Sequence, residues 1–538
     1  MVINNNKYLD SFVSICIGVV AFFIILDYNF LDPKNVNWLL HHDFSPAYLG
    51  WEFYRRDEIG GSVIGANPTY GLEMSSSVLH SATIPLLSIP LKFVPLKLPD
   101  NFQFFGMWLL VCFALQSYFA YRLVSLISKN RLLILSSTLL FVFTPSFLHQ
   151  IPHHLDLSAH WIVLASVYFL FAYKFKINKT IWPLSLLVLM SLFIHAYIFI
   201  MILSLWLVLI LDNLLYGNRQ ALPQFLFVIS LVFYLMWQIG YFMGGDSSAC
   251  CYGRYGMNIF SIFDPRDFDG DNYSWSYFMP DIPGQNGWGV GFNYLGLGVI
   301  LLLTSTWKDF FNKTIRAIKT NKYRNLIIMM LLFILFSITH RVGMLNFYIE
   351  FPLFDGLVDF LGTLRGSGRF FWPVHYILLF GLIYVLSKRT KSAPLLLLFF
   401  ALVQILDTSS AWLQLQENVI GKKYQHQEYD FSSAVGDAKY AEIKMAPFEN
   451  HPKDWEKISL YALKQGMSTN IAYLARPSVE KIKEYNQNFL NSIQFKTYNK
   501  NTMYVLSDEY FDIVSEAVDL KDAKLIKVNG LNLFLPLQ

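Results

Sequence analysis

A chain of 538 residues in which 54% are hydrophobic and only 15% charged, with 48 Phe and 31 Tyr, is far from the roughly 25% charged content of soluble domains, which excludes an ordinary soluble globular protein. The formal net charge of +4 is too small to mark a nucleic-acid partner, so the informative quantity is where Lys and Arg fall along the chain. The four cysteines form no disulfide framework. Cys16 and Cys112 fall in apolar stretches, and the adjacent Cys250 and Cys251 read as two packed or free thiols rather than a strained vicinal disulfide.

Residues 9–27 are apolar after Lys7 and are followed by no small-residue cleavage site, which predicts a retained signal-anchor helix with a cytoplasmic N-terminus. A polar segment over 31–102 follows, beginning His41-His42-Asp43 and running through Trp51-Glu52 to Asp57-Glu58, with Ser45-Pro46 announcing a helix. The Pro-bounded apolar stretch Thr83 to Val94 is short for a span and is expected along or dipping into the membrane surface. Further spans are predicted near 103–125, 131–148, 158–174, 181–196, 198–214, 222–243, 292–306, 325–340, 370–387 and 393–412, about eleven in all by the ~20-residue criterion. Within 181–214 a tight helical hairpin is expected, with His195-Ala196-Tyr197 as its turn.

Counting spans alternately puts Lys129 to Arg131, Lys174 to Lys179, Lys308 to Arg324 and Lys388 to Lys391 on one side, which the positive-inside rule assigns to the cytoplasm. The opposite side then carries 31–102, 149–157, the long loop 244–291, 341–369 and everything after about 413. A protein whose polar variety faces outward is expected to act on something already exported, because a cytoplasmic nucleotide could not reach those groups.

From 414 the composition becomes that of a soluble domain. Pro452 and Asp454 open one helix, Ser478 caps another, Thr502 to Leu506 reads as a strand, and Leu525 to Val528, Asn529-Gly530 and Leu531 to Leu535 read as a type I′ hairpin. The fold class expected is therefore an α-helical polytopic membrane protein, residues 1–413, carrying an extracytoplasmic α/β domain, residues 414–538.

Several groups could carry chemistry. Asp43 stands just outside the first span, where a carboxylate can accept a proton from an incoming hydroxyl, and a solvated loop acid is the plain alternative. Glu52, Asp57 and Glu58 compete for the same role, with Arg55 and Arg56 available to pair with them or with lipid head groups. Arg365 and Arg369, spaced by Gly and Ser, can close on a phosphate, since guanidinium forks bind it bidentately; snorkelling to head groups is the plain alternative. His149, His153, His154, Asp156 and His160 crowd one loop without a standard metal-ligand spacing, so substrate or head-group contacts are expected instead of zinc. His195 and Tyr197 at an outer helix end join the substrate-binding candidates. Asp264, Asp267, Asp269 and Asp271 fail the EF-hand pattern because its twelfth position, counted from Asp267, is Phe278. Tyr273, Trp275, Tyr277 and Trp288 could stack on sugars or anchor at the interface.

Together these features resemble the GT-C superfamily of membrane glycosyltransferases, which use a polyprenyl-phosphate sugar as donor. More closely, Leu49-Gly50-Trp51-Glu52-Phe53, Gly65-Ala66-Asn67-Pro68, Gly296 after Asn293-Tyr294-Leu295, and Leu364 to Pro373 look like a bacterial branch of that superfamily. The resemblance implies Asp43 as general base, Arg365 or Arg369 on the donor phosphate, and an exported glycan, lipid or protein as acceptor at the outer face of the cytoplasmic membrane. It implies no metal and no cofactor. Relatives often show two neighbouring acids in the first loop, whereas here Asp43 follows two histidines. An O-antigen polymerase or ligase, which moves a preassembled glycan from a diphosphate carrier, and a non-enzymatic lipid or glycan transporter are the competing readings. Transporters tend to show repeated halves and midplane charges, whereas here the charges collect at the outer edge and no halves repeat.

Overall fold

The computed structural model describes residues 5–537 except 41, 59–60, 96, 245–251, 267–273, 285–289, 416–428, 476 and 520. Cys250, Cys251, Asp267, Asp269, Asp271, Tyr273 and Trp288 lie outside the described residues. The chain divides into two compact units, the first formed by Met1–Pro33, Phe104–Val232 and Ala249–Lys422, the second by Lys34–Gln103, Phe233–Ser248 and Lys423–Gln538.

Among the described residues, six helices are long and apolar enough to cross a membrane: Phe105–Val124, Ala196–Leu215, Ala221–Ile239, Asn321–Ile338, Ser367–Arg389 and Ala393–Leu415. In hydrocarbon every backbone group must be satisfied within the segment, and only the helix does so for a single span. Their small polar residues are absorbed the same way: Ser204, Ser337 and Thr408 donate to the carbonyl four residues back. Six is fewer than the eleven expected. Four further apolar helices, Leu9–Ile25, Arg131–Val142, His160–Lys174 and Trp182–Leu192, are shorter, and two of the interruptions have visible causes. Thr144 is extended ahead of Pro145, which starts the separate turn Pro145–Leu148. His195 is the N-cap of Ala196–Leu215, so the helical hairpin turns just before it.

Within the first unit, Gly18 lets helix Asn5–Ile25 approach the Phe113 carbonyl of Phe105–Val124, where a Cβ would clash, and Ser117 Oγ donates to the Ser14 carbonyl at 2.5 Å. Lys174 Nζ meets Asp212 Oδ2 at 2.6 Å, and Asn325 Nδ2 donates to Asp212 Oδ1 at 2.7 Å, tying three helices at one end. A short antiparallel hairpin of β1 (Arg341–Met344) and β2 (Phe347–Glu350) follows Asn321–Ile338. It lies in a loop with no strand signal in the sequence, and its Met344, Phe347, Tyr348 and Ile349, with Phe351, Phe354 and Phe360 beyond it, are exposed.

In the second unit, the α/β domain expected after 414 is present. Its sheet has the order β4 (Ser468–Thr469), β3 (Glu442–Ala446), β5 (Thr502–Leu506), β7 (Leu531–Pro536), β6 (Ala523–Val528), with β3 parallel to β4 and β5, and β7 antiparallel to β5 and β6. Helix Trp455–Gln465 starts just after Asp454, and Ser478 Oγ accepts from Lys481 N to cap Val479–Gln494. Asn529 and Gly530 both take positive φ, as the type I′ turn between β6 and β7 demands. Phe489, Tyr504, Val514 and Phe534 form the core.

The first polar loop belongs to this same unit. Its helix Ser45–Arg56 buries Trp51 and Tyr54, and Phe53 stacks on Tyr70 at 4.9 Å. Thr69 to Gly71 run along the edge of β4, with Thr469 N donating to Thr69 O at 2.9 Å and Gly71 N to Thr469 O at 2.8 Å. The loop thereby lengthens the sheet by one short edge and covers it.

Candidate functional site

The first unit gathers the histidines. After the turn Pro145–Leu148, residues 149–159 fold back before His160 begins its helix. His149 stacks on Phe292 with ring centroids 4.6 Å apart, beside His153 at 4.8 Å and Trp275 at 6.2 Å. His160 packs on Trp372 at 4.1 Å, its Nδ1 is 2.8 Å from the Tyr376 hydroxyl, and its buried Nε2 has no hydrogen-bond partner among the described residues. Burial first, then the charge of Arg369 and the neighbouring His153, His195 and His149 rings, hold the His154 imidazole well below its ordinary range. His154 is therefore neutral at pH 7, able to donate from one nitrogen and accept at the other.

Asp156 is the acid of this cluster. It is buried, its Oδ1 accepts from Leu157 N at 2.9 Å, and its Oδ2 is 3.9 Å from His195 Nε2. His195 caps its helix through Nδ1, which accepts from Tyr197 N at 3.0 Å, so in the neutral ring the proton sits on Nε2, the nitrogen nearer Asp156. Two residues on, the Tyr197 hydroxyl accepts from Gly366 N at 3.2 Å, and its ring centroid is 5.6 Å from the Arg369 guanidinium. The histidine turn and the arginine loop, far apart in sequence, are thus joined.

The two arginines are not equivalent. Arg369, on the short 3-10 helix Ser367–Phe371, is 8% exposed, whereas Arg365 is exposed with its guanidinium 5.9 Å from the Tyr255 ring. Gly368 N donates to Tyr255 O and Asn293 Nδ2 to Gly368 O, both at 3.0 Å. A Cβ at Gly368 would sit 2.7 Å from Gly291 Cα, and one at Gly366 2.8 Å from the Tyr197 ring, which is why this turn needs glycine. The result is a buried guanidinium beside the neutral His154 imidazole, an arrangement that offers N–H donors to an anion. Among the described residues, no three His, Cys, Asp or Glu side chains converge as a metal site requires.

The remaining candidates belong to the second unit. Asp43 sits on the one-turn helix His42–Phe44, exposed, immediately before Ser45–Arg56. Glu52 is fully buried. Arg55 forks onto both its oxygens at 2.8 Å, Arg56 reaches Oε2 at 2.9 Å, and Phe102 N points at Oε1 from 3.4 Å. Burial raises its carboxyl, and the two arginines oppose that. Glu52 is a clamp for its own helix, and the carboxylate is enclosed. Asp57 is half-buried, its carboxyl raised by burial against the pull of Lys92, and Glu58 is exposed.

One buried acid has no counterpart among the residues singled out from sequence. Asp407, inside Ala393–Leu415, accepts from Ser276 Oγ, from Tyr277 N at 3.1 Å and from the Tyr294 hydroxyl at 3.0 Å. Gln404, one turn earlier, donates to Phe143 O and Leu295 O and accepts from Val299 N. The signal was a lone carboxylate in an apolar span, which is a site hypothesis by default; here it anchors the loop before Asp281. Asp264 likewise accepts from Arg266 N and Ile282 N within that loop.

Compared with known proteins, residues 15–409 match the model of a family described as "Domain of unknown function (DUF6311)", and residues 432–536 match its companion, the DUF6311 C-terminal domain. No curated protein matches the chain. With the first model covering well over half of its length, the chain belongs to the DUF6311 family.

Proposed function

We propose that the protein is a membrane glycosyltransferase of the GT-C type that moves a sugar from a polyprenyl-phosphate donor to an exported glycan, lipid or protein. The observation that carries the reading is the placement of buried Arg369 and of His195 against the one Tyr197 ring, with His153 and His154 in the same electrostatic neighbourhood, in a unit that holds apolar helices. Groups that donate to an anion, placed among helices able to cross a membrane, suit a ligand that is both phosphate and lipid.

In this reading Arg369 takes the departing phosphate, and exposed Arg365 meets it on the way in. Tyr197 N holds His195 in its Nε2–H form, and Asp156 faces that nitrogen, a positioning role. Asp43 is the general base that takes the acceptor proton as the hydroxyl attacks the anomeric carbon. The carbon–oxygen bond to phosphate breaks as the new glycosidic bond forms, a single displacement that inverts configuration. His160, with one nitrogen tied to Tyr376, serves substrate contact through the other, and Tyr197 supports the Arg369 guanidinium.

The four shorter apolar helices, together with Leu297–Ile318, bring the spans to eleven. The N-terminus is then cytoplasmic, and the loop 34–103 and terminal domain are periplasmic or extracellular, at a bacterial cytoplasmic membrane. A radiolabelled transfer assay on the purified protein tests the roles. Arg369→Ala and Asp43→Asn are each expected to lower turnover at least a hundredfold, and wild-type-like turnover in both would remove the reading.

A further inference from the structure

The second unit holds a cleft of about 340 Å³, lined by none of the residues given a part in the proposed transfer, at the lower end of the range for small-ligand sites, ~300–1,000 Å³. One wall is a stripe on helix Val479–Gln494, where Glu484, Asn488 and Ser492 recur every fourth residue and so share a face. The other wall is the turn carrying Thr497 and Asn499, which precedes β5. Tyr485 and Tyr504 close the base, Tyr485 fixed by its hydroxyl donating to Met445 O at 2.9 Å.

The electrostatics of the cleft narrow the ligand. Lys444 meets Glu73 at 2.6 Å and Glu442 at 2.8 Å, and Lys481 Nζ donates to Ser75 Oγ at 2.5 Å. Each ammonium therefore has an oxygen partner within the protein, and the charges of Lys444 and Lys481 are balanced by Glu73 and Glu484. No surplus positive charge waits for a phosphate or a uronic acid. What the walls do present is exposed amides, hydroxyls and one carboxylate over an aromatic floor. Such groups match a ligand with many hydroxyls and apolar ring faces.

We infer that this cleft binds a short stretch of neutral oligosaccharide, with Glu484, Asn488 and Asn499 bonding to its hydroxyls. That the bound glycan is the sugar acceptor rests on the transferase reading; binding itself does not. Because Glu73 comes from the first polar loop and the walls from the terminal domain, the packing of those two segments is what builds the cleft.

The test uses full-length protein in nanodiscs and saturation-transfer NMR with neutral trisaccharides of glucose, mannose, galactose and N-acetylglucosamine, and with trigalacturonate as the charged probe. At least one neutral trisaccharide is expected to bind, trigalacturonate to bind at least tenfold more weakly, and Asn488→Ala/Asn499→Ala to weaken the neutral sugar at least tenfold. Both substituted residues are exposed, and unchanged hydrogen exchange in β3 and β5 confirms the fold. Absence of binding by every neutral probe, a preference for trigalacturonate, or unchanged affinity in the double variant overturns the inference. Arg369→Ala is expected to bind the trisaccharide as wild type does. Binding without any sugar transfer by the wild type would defeat the transferase reading alone, whereas transfer with an unchanged acceptor KM in the double variant would defeat the cleft alone.

Discussion

Replacing Glu52 with Gln separates a structural clamp from a substrate-binding acid. The carboxylate is fully buried and takes a bidentate fork from Arg55 and one bond from Arg56, whose side chains are 10% and 37% exposed. Removing one partner of a buried pair costs about 3–5 kcal/mol. Three features reduce that here: Gln keeps one acceptor oxygen, Arg55 still donates to the Pro99 and Asp100 carbonyls, and Arg56 reaches solvent. Burial also penalises the charged carboxylate that is being removed. We therefore expect a loss of about 2 kcal/mol, localised to helix Ser45–Arg56 and residues 99–102. Hydrogen exchange followed by mass spectrometry on the full-length protein reads it as roughly thirtyfold faster opening of those peptides, and a double-mutant cycle with Arg55→Met should give a coupling above about 1 kcal/mol. Unchanged protection, combined with loss of sugar transfer, would refute the clamp and return Glu52 to the substrate.

Three further substitutions test other parts of the structure. Gly368→Ala should cost about 1–3 kcal/mol as overpacking and more than Gly366→Ala, because its new Cβ meets the backbone of Val290 and Gly291 while that at Gly366 meets a Tyr197 ring that can shift; equal thermal shifts would contradict this. Asp407→Asn should loosen the loop it holds by roughly 2 kcal/mol, one charged hydrogen bond lost, seen as faster chymotryptic cleavage at exposed Tyr277 and Phe278. Cleavage at the wild-type rate would show that the loop is held by other contacts. Lys174→Met should destabilise by about 3 kcal/mol by leaving Asp212 buried with only Asn325. Adding Asp212→Leu should recover most of the loss in a detergent thermal melt, and a double variant no better than the single would contradict the pair's role.

Local signals in the sequence were sound where one segment decides its own structure. The Ser478 cap, the Asn529-Gly530 turn and six of the eleven expected spans depend on neighbours within a few residues, and the described residues have them. The Glu52–Arg55–Arg56 spacing at i+3 and i+4 also held the answer to its own pairing. Long-range events left no such trace. Backbone pairing of Thr69 to Gly71 with Thr469 uses groups every residue has, so no side chain announces that the first loop joins the terminal sheet. The hairpin of β1 and β2 was hidden because its exposed apolar residues do not alternate with polar ones. The approach of Tyr197 to Arg369 needs the whole bundle, and sequence reading found each residue but not their meeting.

The proposed use of a lipid-linked sugar carrying one phosphate is tested most directly by product analysis. Purified protein in nanodiscs would be given a mixed pool of polyprenyl-monophosphate sugars and polyprenyl-diphosphate oligosaccharides with a membrane-extract acceptor, and the products read by mass spectrometry. Single sugars are expected to be transferred from the monophosphate donors, and Arg369→Ala to abolish the transfer. Consumption of the diphosphate-linked glycans instead, or no covalent product from any donor, would contradict it.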